Sequence, residues 1–108
     1  MLNYKIFKNI YLSNNPTMFV GGINAFQIKV YAFFDENEIK DNLFIFINKN
    51  RKQIKLFYQT SKGTYLTIYR LNKGKFSFPD TNSEGRLDRR ELIWLLEGLT
   101  KISRQKEK

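Results

Sequence analysis

The sequence predicts an α+β fold: an antiparallel β-meander sheet of about four strands with two helices packed on it, in the order β-α-β-β-β-(β)-α. Three observations carry this expectation. Residues 43–48, 53–59 and 64–71 are rich in branched and aromatic side chains, and the links between them are short enough for hairpins. Apolar residues recur at helical spacing before the first run and again near the C-terminus. With 108 residues, 42% of them apolar and 16% aromatic, the chain has material for one modest core. Residues 1–103 are accordingly read as a single domain and 104–108 as a frayed basic tail.

Taken in order, residues 5–13 (KIFKNIYLS) read as a short strand with an irregular start. SNNPT then breaks the pattern, with Asn-Pro favouring a turn and Thr17 a helix cap. Phe19, Ile23, Phe26, Val30 and Phe33 form a stripe at spacings of four and three. Ile28, Tyr31 and Phe34 widen it, predicting a helix buried over much of its circumference. Gly21 and Gly22 weaken its first turn by roughly 1 kcal/mol each relative to Ala. DENEIKD reads as a polar connection.

Residues 43–48 are apolar on both faces, as a central strand requires, while 53–59 and 64–71 alternate. NKGKF is another turn, and residues 76–78 form a short edge strand ended by Pro79. After a loop, Asp88 and Glu91 make a capping pair for a helix with Leu92, Leu95, Leu96 and Leu99 on one face.

The net charge of +9 is unevenly distributed. Residues 1–41 hold four Lys against four acids, and residues 80–108 hold seven Lys or Arg against six acids. Residues 42–79 carry Lys49, Arg51, Lys52, Lys55, Lys62, Arg70, Lys73 and Lys75 with no acid at all. Clustering of this kind points to a polyanionic partner, with nucleic acid ahead of an anionic membrane surface. The plainer alternative is a solvated set of strands that favours lysine.

Catalytic resources are poor. The chain has no His and no Cys, which removes the commonest general base, the thiol nucleophile and most transition-metal ligands. Asp35, Glu36, Glu38 and Asp41 lack the glycine-punctuated spacing of a calcium loop, and no phosphate-cradling Gly-x-x-x-x-Gly-Lys motif is present. No apolar run approaches the ~20 residues of a membrane span, and the N-terminus lacks an export signal's apolar stretch. No enzyme activity, metal or cofactor is expected, and a cytoplasmic, nucleoid-associated location follows.

The basic turn of residues 48–53 carries more information. A polar hairpin tip projects Lys49, Arg51 and Lys52, each able to neutralise a phosphate. Arg51 could instead pair with a guanine edge, since a two-stranded ribbon fits the major groove. Lys55, Lys62, Arg70, Lys73 and Lys75 extend the basic surface over neighbouring strands and turns. Lys55 and Phe57 are read as sharing a face with Tyr65 and Tyr69. Such a face is similar to the platforms that stack unpaired bases, yet the first helix is expected to cover it, because both helices must bury their stripes. Trp94, beside the leucine stripe, and Leu87 are the second candidate interface, for a protein partner.

Several stretches, IYLSNNPT, GGINAF, DNLFIFINKNRKQIKLFY, YRLNKGKFSFP and LDRRELIWLLEGL, resemble in the same order the accessory proteins of insertion sequence 66 type bacterial transposons. These are products of the element's second open reading frame, often labelled TnpB and unrelated to the RNA-guided nuclease of that label. The resemblance covers roughly residues 9–99, and residues 43–58 and 69–78 carry its most specific parts. It implies a role in transposition beside a separate, larger transposase that holds the acidic catalytic residues, with DNA binding the usual suspicion for the small protein. Where the family has an Asp-Met-Arg-Lys-Gly-like stretch, this chain has Met18-Phe19-Val20-Gly21-Gly22, so nothing resting on that segment carries over. The family's Trp-Asp-Gly-like turn is likewise replaced, by residues 58–63.

The expected function is that of a non-catalytic accessory protein that binds DNA, at transposon ends or as nonspecific duplex, through its basic hairpin and assists the transposase. The expected partners are DNA and a transposase subunit, with no membrane and with self-association left open. The rival readings are a protein adaptor without DNA contact and, behind it, a metal-dependent nuclease.

Overall fold

The structure is a computed structural model and describes residues 6–13, 19–77 and 85–97. Its element order is β1 (Asn9–Leu12), α1 (Ile23–Tyr31), α2 (Glu36–Lys40), β2 (Asn42–Ile47), β3 (Gln53–Thr60), β4 (Gly63–Arg70), β5 (Arg86–Leu87) and α3 (Arg89–Leu96). One five-stranded sheet runs β4-β3-β2-β1-β5.

The expected meander of β2, β3 and β4 is present, and so is the central strand: all six residues of β2 are buried. The sheet is mixed and not purely antiparallel, because β1 pairs parallel with β2. The connection between them explains the difference. Parallel neighbours need a long crossover, and the connection that carries α1 and α2 supplies one, whereas a tight turn would return the chain antiparallel. The expected edge strand at 76–78 is not formed by its described residues, Phe76 and Ser77. The fifth strand is the two-residue β5, which pairs with β1 through Ile10–Leu87 and Tyr11–Arg86.

There are three helices, not two. DENEIKD, expected as a polar link, contains α2. Asp35 Oδ1 accepts from the Glu38 backbone N–H at 2.9 Å, Glu38 returns the bond to the Asp35 N–H, and Ile39 is fully buried beneath. At the other helix start, Asp88 Oδ1 accepts from the Glu91 N–H at 2.7 Å, as the spacing predicts. The Thr17 cap, Leu99 and the 104–108 tail lie outside the described residues.

Each sheet face has its own core. Leu43, Ile45 and Ile47 of β2, with Ile54 and Leu56 of β3, pack beneath Leu92 and Leu95 of α3. The alternate residues Phe44, Phe46 and Phe57 pack beneath Phe26 and Val30 of α1 and Ile39 of α2. Period-two alternation in β3 thus serves two cores at once. Helix α1 buries only one stripe: Ile28 is 71% exposed, and Phe33, just past the helix end, is 84% exposed, against the expectation of burial around most of the helix.

Candidate nucleic-acid interface

The β2–β3 turn is built by asparagine side chains. Asn48 Oδ1 accepts from the backbone N–H groups of Lys52 (3.1 Å) and Gln53 (3.0 Å), and Asn50 Oδ1 accepts from Lys52 N–H at 3.0 Å. The Arg51 N–H closes a tight turn onto the Asn48 carbonyl at 2.9 Å. Short amide side chains substitute here for the backbone partners that a turn lacks. Arg51 occupies the left-handed region at φ 61°, unusual for a residue with a Cβ. Lys49, Arg51 and Lys52 are all exposed.

The turn is not an isolated protrusion. Gln53 pairs with Arg70 at the end of β4, and the chain continues along the turn. The Leu71 N–H donates to the Lys52 carbonyl at 2.9 Å, and the Phe76 N–H to the Arg51 carbonyl at 2.6 Å. Gly74, at φ 76°, bends the loop between these two bonds, and Phe76, 1% exposed, anchors it in the α3-side core. Lys73 and Lys75 flank Gly74 and stay exposed. Six cations, Lys49, Arg51, Lys52, Arg70, Lys73 and Lys75, therefore gather at one end of the sheet. Among the described residues none of the six has a carboxylate partner.

Most of the described carboxylates lie at the other end. Of the seven described carboxylates, Asp35, Glu36, Glu38 and Asp41 precede β2 and Asp88 and Glu91 follow β5, which places six at the end of the sheet where β1 and β2 begin, while Glu97 ends α3. This separation keeps the basic end unneutralised from within the described fold.

Two of the eight sequence-derived cations do not join the cluster. Lys55 is 9% exposed, its ammonium 4.8 Å and 4.7 Å from the ring centroids of Phe19 and Phe26. It points into the α1-side core, where the ring faces stabilise its charge, and it is withdrawn from any polyanion. Lys62 is exposed in the β3–β4 turn, at the far end of the hairpin.

The expected sharing of one face by Lys55, Phe57, Tyr65 and Tyr69 does not hold. The register pairs Lys55 with Ile68 and Phe57 with Leu66, while Tyr65 lies opposite Tyr58 and Tyr69 opposite Ile54. The tyrosines therefore occupy the opposite face from Lys55, with Tyr58 and Tyr65 stacked at 4.8 Å and an interplanar angle of 11°. Helix α1 covers the Lys55 side, as expected: Phe26 meets Phe46 edge-on at 5.0 Å, and Tyr31 Oη donates to Gln59 Oε1 at 3.0 Å.

Of the protein-partner candidates, Leu87 is 7% exposed, pairs with Ile10 and belongs to the core, so it offers no contact surface. Trp94 is half-buried, with the Arg90 guanidinium 5.7 Å from its ring centroid. Beside β5, a cleft of about 430 Å³ is lined by Lys8, Arg86, Asp88, Arg89 and Glu91 among others. Three of its polar side chains have structural duties. Asp88 caps α3, Arg89 Nη2 donates to the Phe7 carbonyl at 3.1 Å, and Arg86 Nη1 donates to Asn9 Oδ1 at 3.3 Å. No group of three or more metal-ligating side chains occurs among the described residues, and no described helix is long and apolar enough to cross a membrane.

Residues 8–106 match the family described as IS66 Orf2 like protein. The chain belongs to that family. It is thus a transposon accessory protein, and its family is not one of known enzymes. No curated protein and no solved structure matches the chain.

Proposed function

We propose that this IS66 Orf2-like protein binds duplex DNA through the basic end of its sheet and assists a separate transposase without catalysing strand chemistry itself. The observation behind the reading is the gathering of six exposed cations, without carboxylate partners among the described residues, on two interlocked turns and the end of β4. Each cation that neutralises a phosphate releases a counterion, so affinity falls with salt in proportion to the contacts made. The turn backbone is held by side-chain and inter-loop hydrogen bonds, which limits the ordering cost of binding.

Titration of a labelled duplex at several salt concentrations tests this. With all six cations engaged, the slope of log K against log salt approaches about −5.4. Replacing Lys49, Arg51 and Lys52 together by Gln is expected to flatten it by about 2.7 and to weaken binding to all sequences alike. An unchanged slope removes the site, and absence of duplex binding favours an adaptor that meets an acidic protein surface. Incubation of duplex with magnesium or manganese is expected to yield no strand breaks.

A further inference from the structure

Strand β4 ends the sheet, with no described strand beyond it. It is eight residues long and carries neither proline nor charge from Gly63 to Tyr69. Long edges of this kind are normally blunted by lysine, proline or a bulge. Its hydrogen-bonding parity follows from a neighbouring bond. The Leu71 N–H donates to Lys52 of the turn preceding β3, and the register continues unbroken from Gln53–Arg70 to Thr60–Gly63. Odd-numbered residues of β4 therefore bond to β3, while Thr64, Leu66, Ile68 and Arg70 turn their N–H and C=O groups outward.

We propose that β4 pairs antiparallel with β4 of a second copy, about a two-fold axis through Thr67, and thereby brings Lys62 of each copy to the basic end of the other. Parity and the outward bonding groups fit any residue-centred register, and side-chain matching then selects Thr67. An axis perpendicular to the sheet keeps each face on its own side, so odd residues must meet odd and even must meet even. Centring on Thr67 sets Leu66 against the second copy's Ile68 and Thr64 against its Arg70, and these are the residues with outward bonding groups. The same centring matches side chains: Tyr65 with Tyr69, Leu66 with Ile68, and Thr67 with itself, all favourable cross-strand pairs. Ile68 at 56% exposure and Tyr65 at 38% are apolar surface for the pairing to cover.

The pairing also gives Lys62 a place. In a single copy it lies at the far end of the hairpin from the other cations. In the pair, Gly63 of one copy faces Leu71 of the other, and the adjoining Lys62 falls beside the stretch from Arg70 to Lys73. Each basic end then holds seven cations and repels itself until salt or a polyanion screens it. The pairing stands without the duplex-binding reading, and only the use of Lys62 on DNA rests on that reading.

The chain has no cysteine, which permits a direct test on the full protein without DNA. Thr67 and its symmetry mate form a non-hydrogen-bonded pair, with Cα atoms about 4.5 Å apart, within the range of a disulfide. Thr67→Cys is expected to cross-link under mild oxidation at least about tenfold faster than Tyr65→Cys, whose mates stand about 14 Å apart. Sedimentation of the wild type is expected to show a two-copy species that tightens about threefold or more from low to high salt, a trend that Lys62→Gln flattens. A single-copy mass at every salt concentration, or equal cross-linking of the two variants, overturns the pairing. A salt trend unaffected by Lys62→Gln overturns the placement of Lys62.

Discussion

The Phe76 backbone N–H donates to the Arg51 carbonyl across 2.6 Å, joining the loop after β4 to the turn between β2 and β3. Two segments 25 positions apart thus become one basic surface, and the Phe76 ring holds them there from the core side. Phe76→Ala removes a ring that is 1% exposed and leaves a cavity under the loop. A loss of about 3–5 kcal/mol is expected in denaturant unfolding.

Arg51 sets function against stability at the opposite end of that bond. Its left-handed backbone costs roughly 1–2 kcal/mol that glycine would not incur, offset in part by glycine's freedom in the unfolded chain. Arg51→Gly is expected to be as stable as wild type or up to about 1 kcal/mol more stable. Its salt slope on duplex should nevertheless fall by about 0.9. Arg51→Ala should show the same slope without the stability gain.

Much of this surface was legible from the residues alone, because a 38-residue stretch without an acid is a local property and its hairpin signals are local too. The interlock was not. That Lys73 and Lys75 sit beside Arg51 depends on the β3–β4 register and on Phe76 entering the core, neither of which has a short-range signature. Lys55 is a related case: the first helix is expected over its face, but alternation does not say that Phe19 and Phe26 stand directly over its ammonium. Helix α2 did carry a signal, the Asp35–Glu38 capping pair, masked by the polarity of the surrounding residues. The parallel β1–β2 pairing was implicit in the crossover, whereas β5, at two residues, is too short for any pattern.

Asn48 organises the turn, and its two roles separate by substitution. Asn48→Ala deletes the acceptor for the Lys52 and Gln53 N–H groups and is expected to cost about 1–2 kcal/mol, comparable to losing a helix cap. Asn48→Asp retains the acceptor and should keep most of that stability. It places a negative charge among the cations, however, and duplex affinity should drop several-fold at low salt with the loss shrinking as salt rises.

Lys55 supplies the contrast that distinguishes a cation in the core from one on the surface. Replacing a buried charge by an apolar side chain of similar shape is often neutral or stabilising. Lys55→Met is therefore expected to change stability by no more than about 1 kcal/mol in denaturant unfolding, since the lost ring contacts are offset by relief of desolvation. Its duplex salt slope should match wild type, whereas Arg70→Gln should flatten the slope by about 0.9. A weakened slope in Lys55→Met would mean that the α1 side opens on DNA.

Pairing through β4 has a consequence for what one assembly can hold. The two-fold axis turns the second copy's strand around, so the two basic ends point away from each other and face separate duplex segments. Beads carrying one duplex, mixed with protein and a second, labelled duplex, should therefore retain the label. Ile68→Pro removes an outward N–H while leaving the β3 ladder intact, because Ile68 does not bond to β3; proline is tolerated on an edge in that position. This variant should bind a single duplex with a salt slope lower by up to about 0.9, because the second copy's Lys62 no longer adjoins the basic end, and it should fail to retain the labelled one. Equal retention by both proteins would mean that any bridging arises from some surface other than β4.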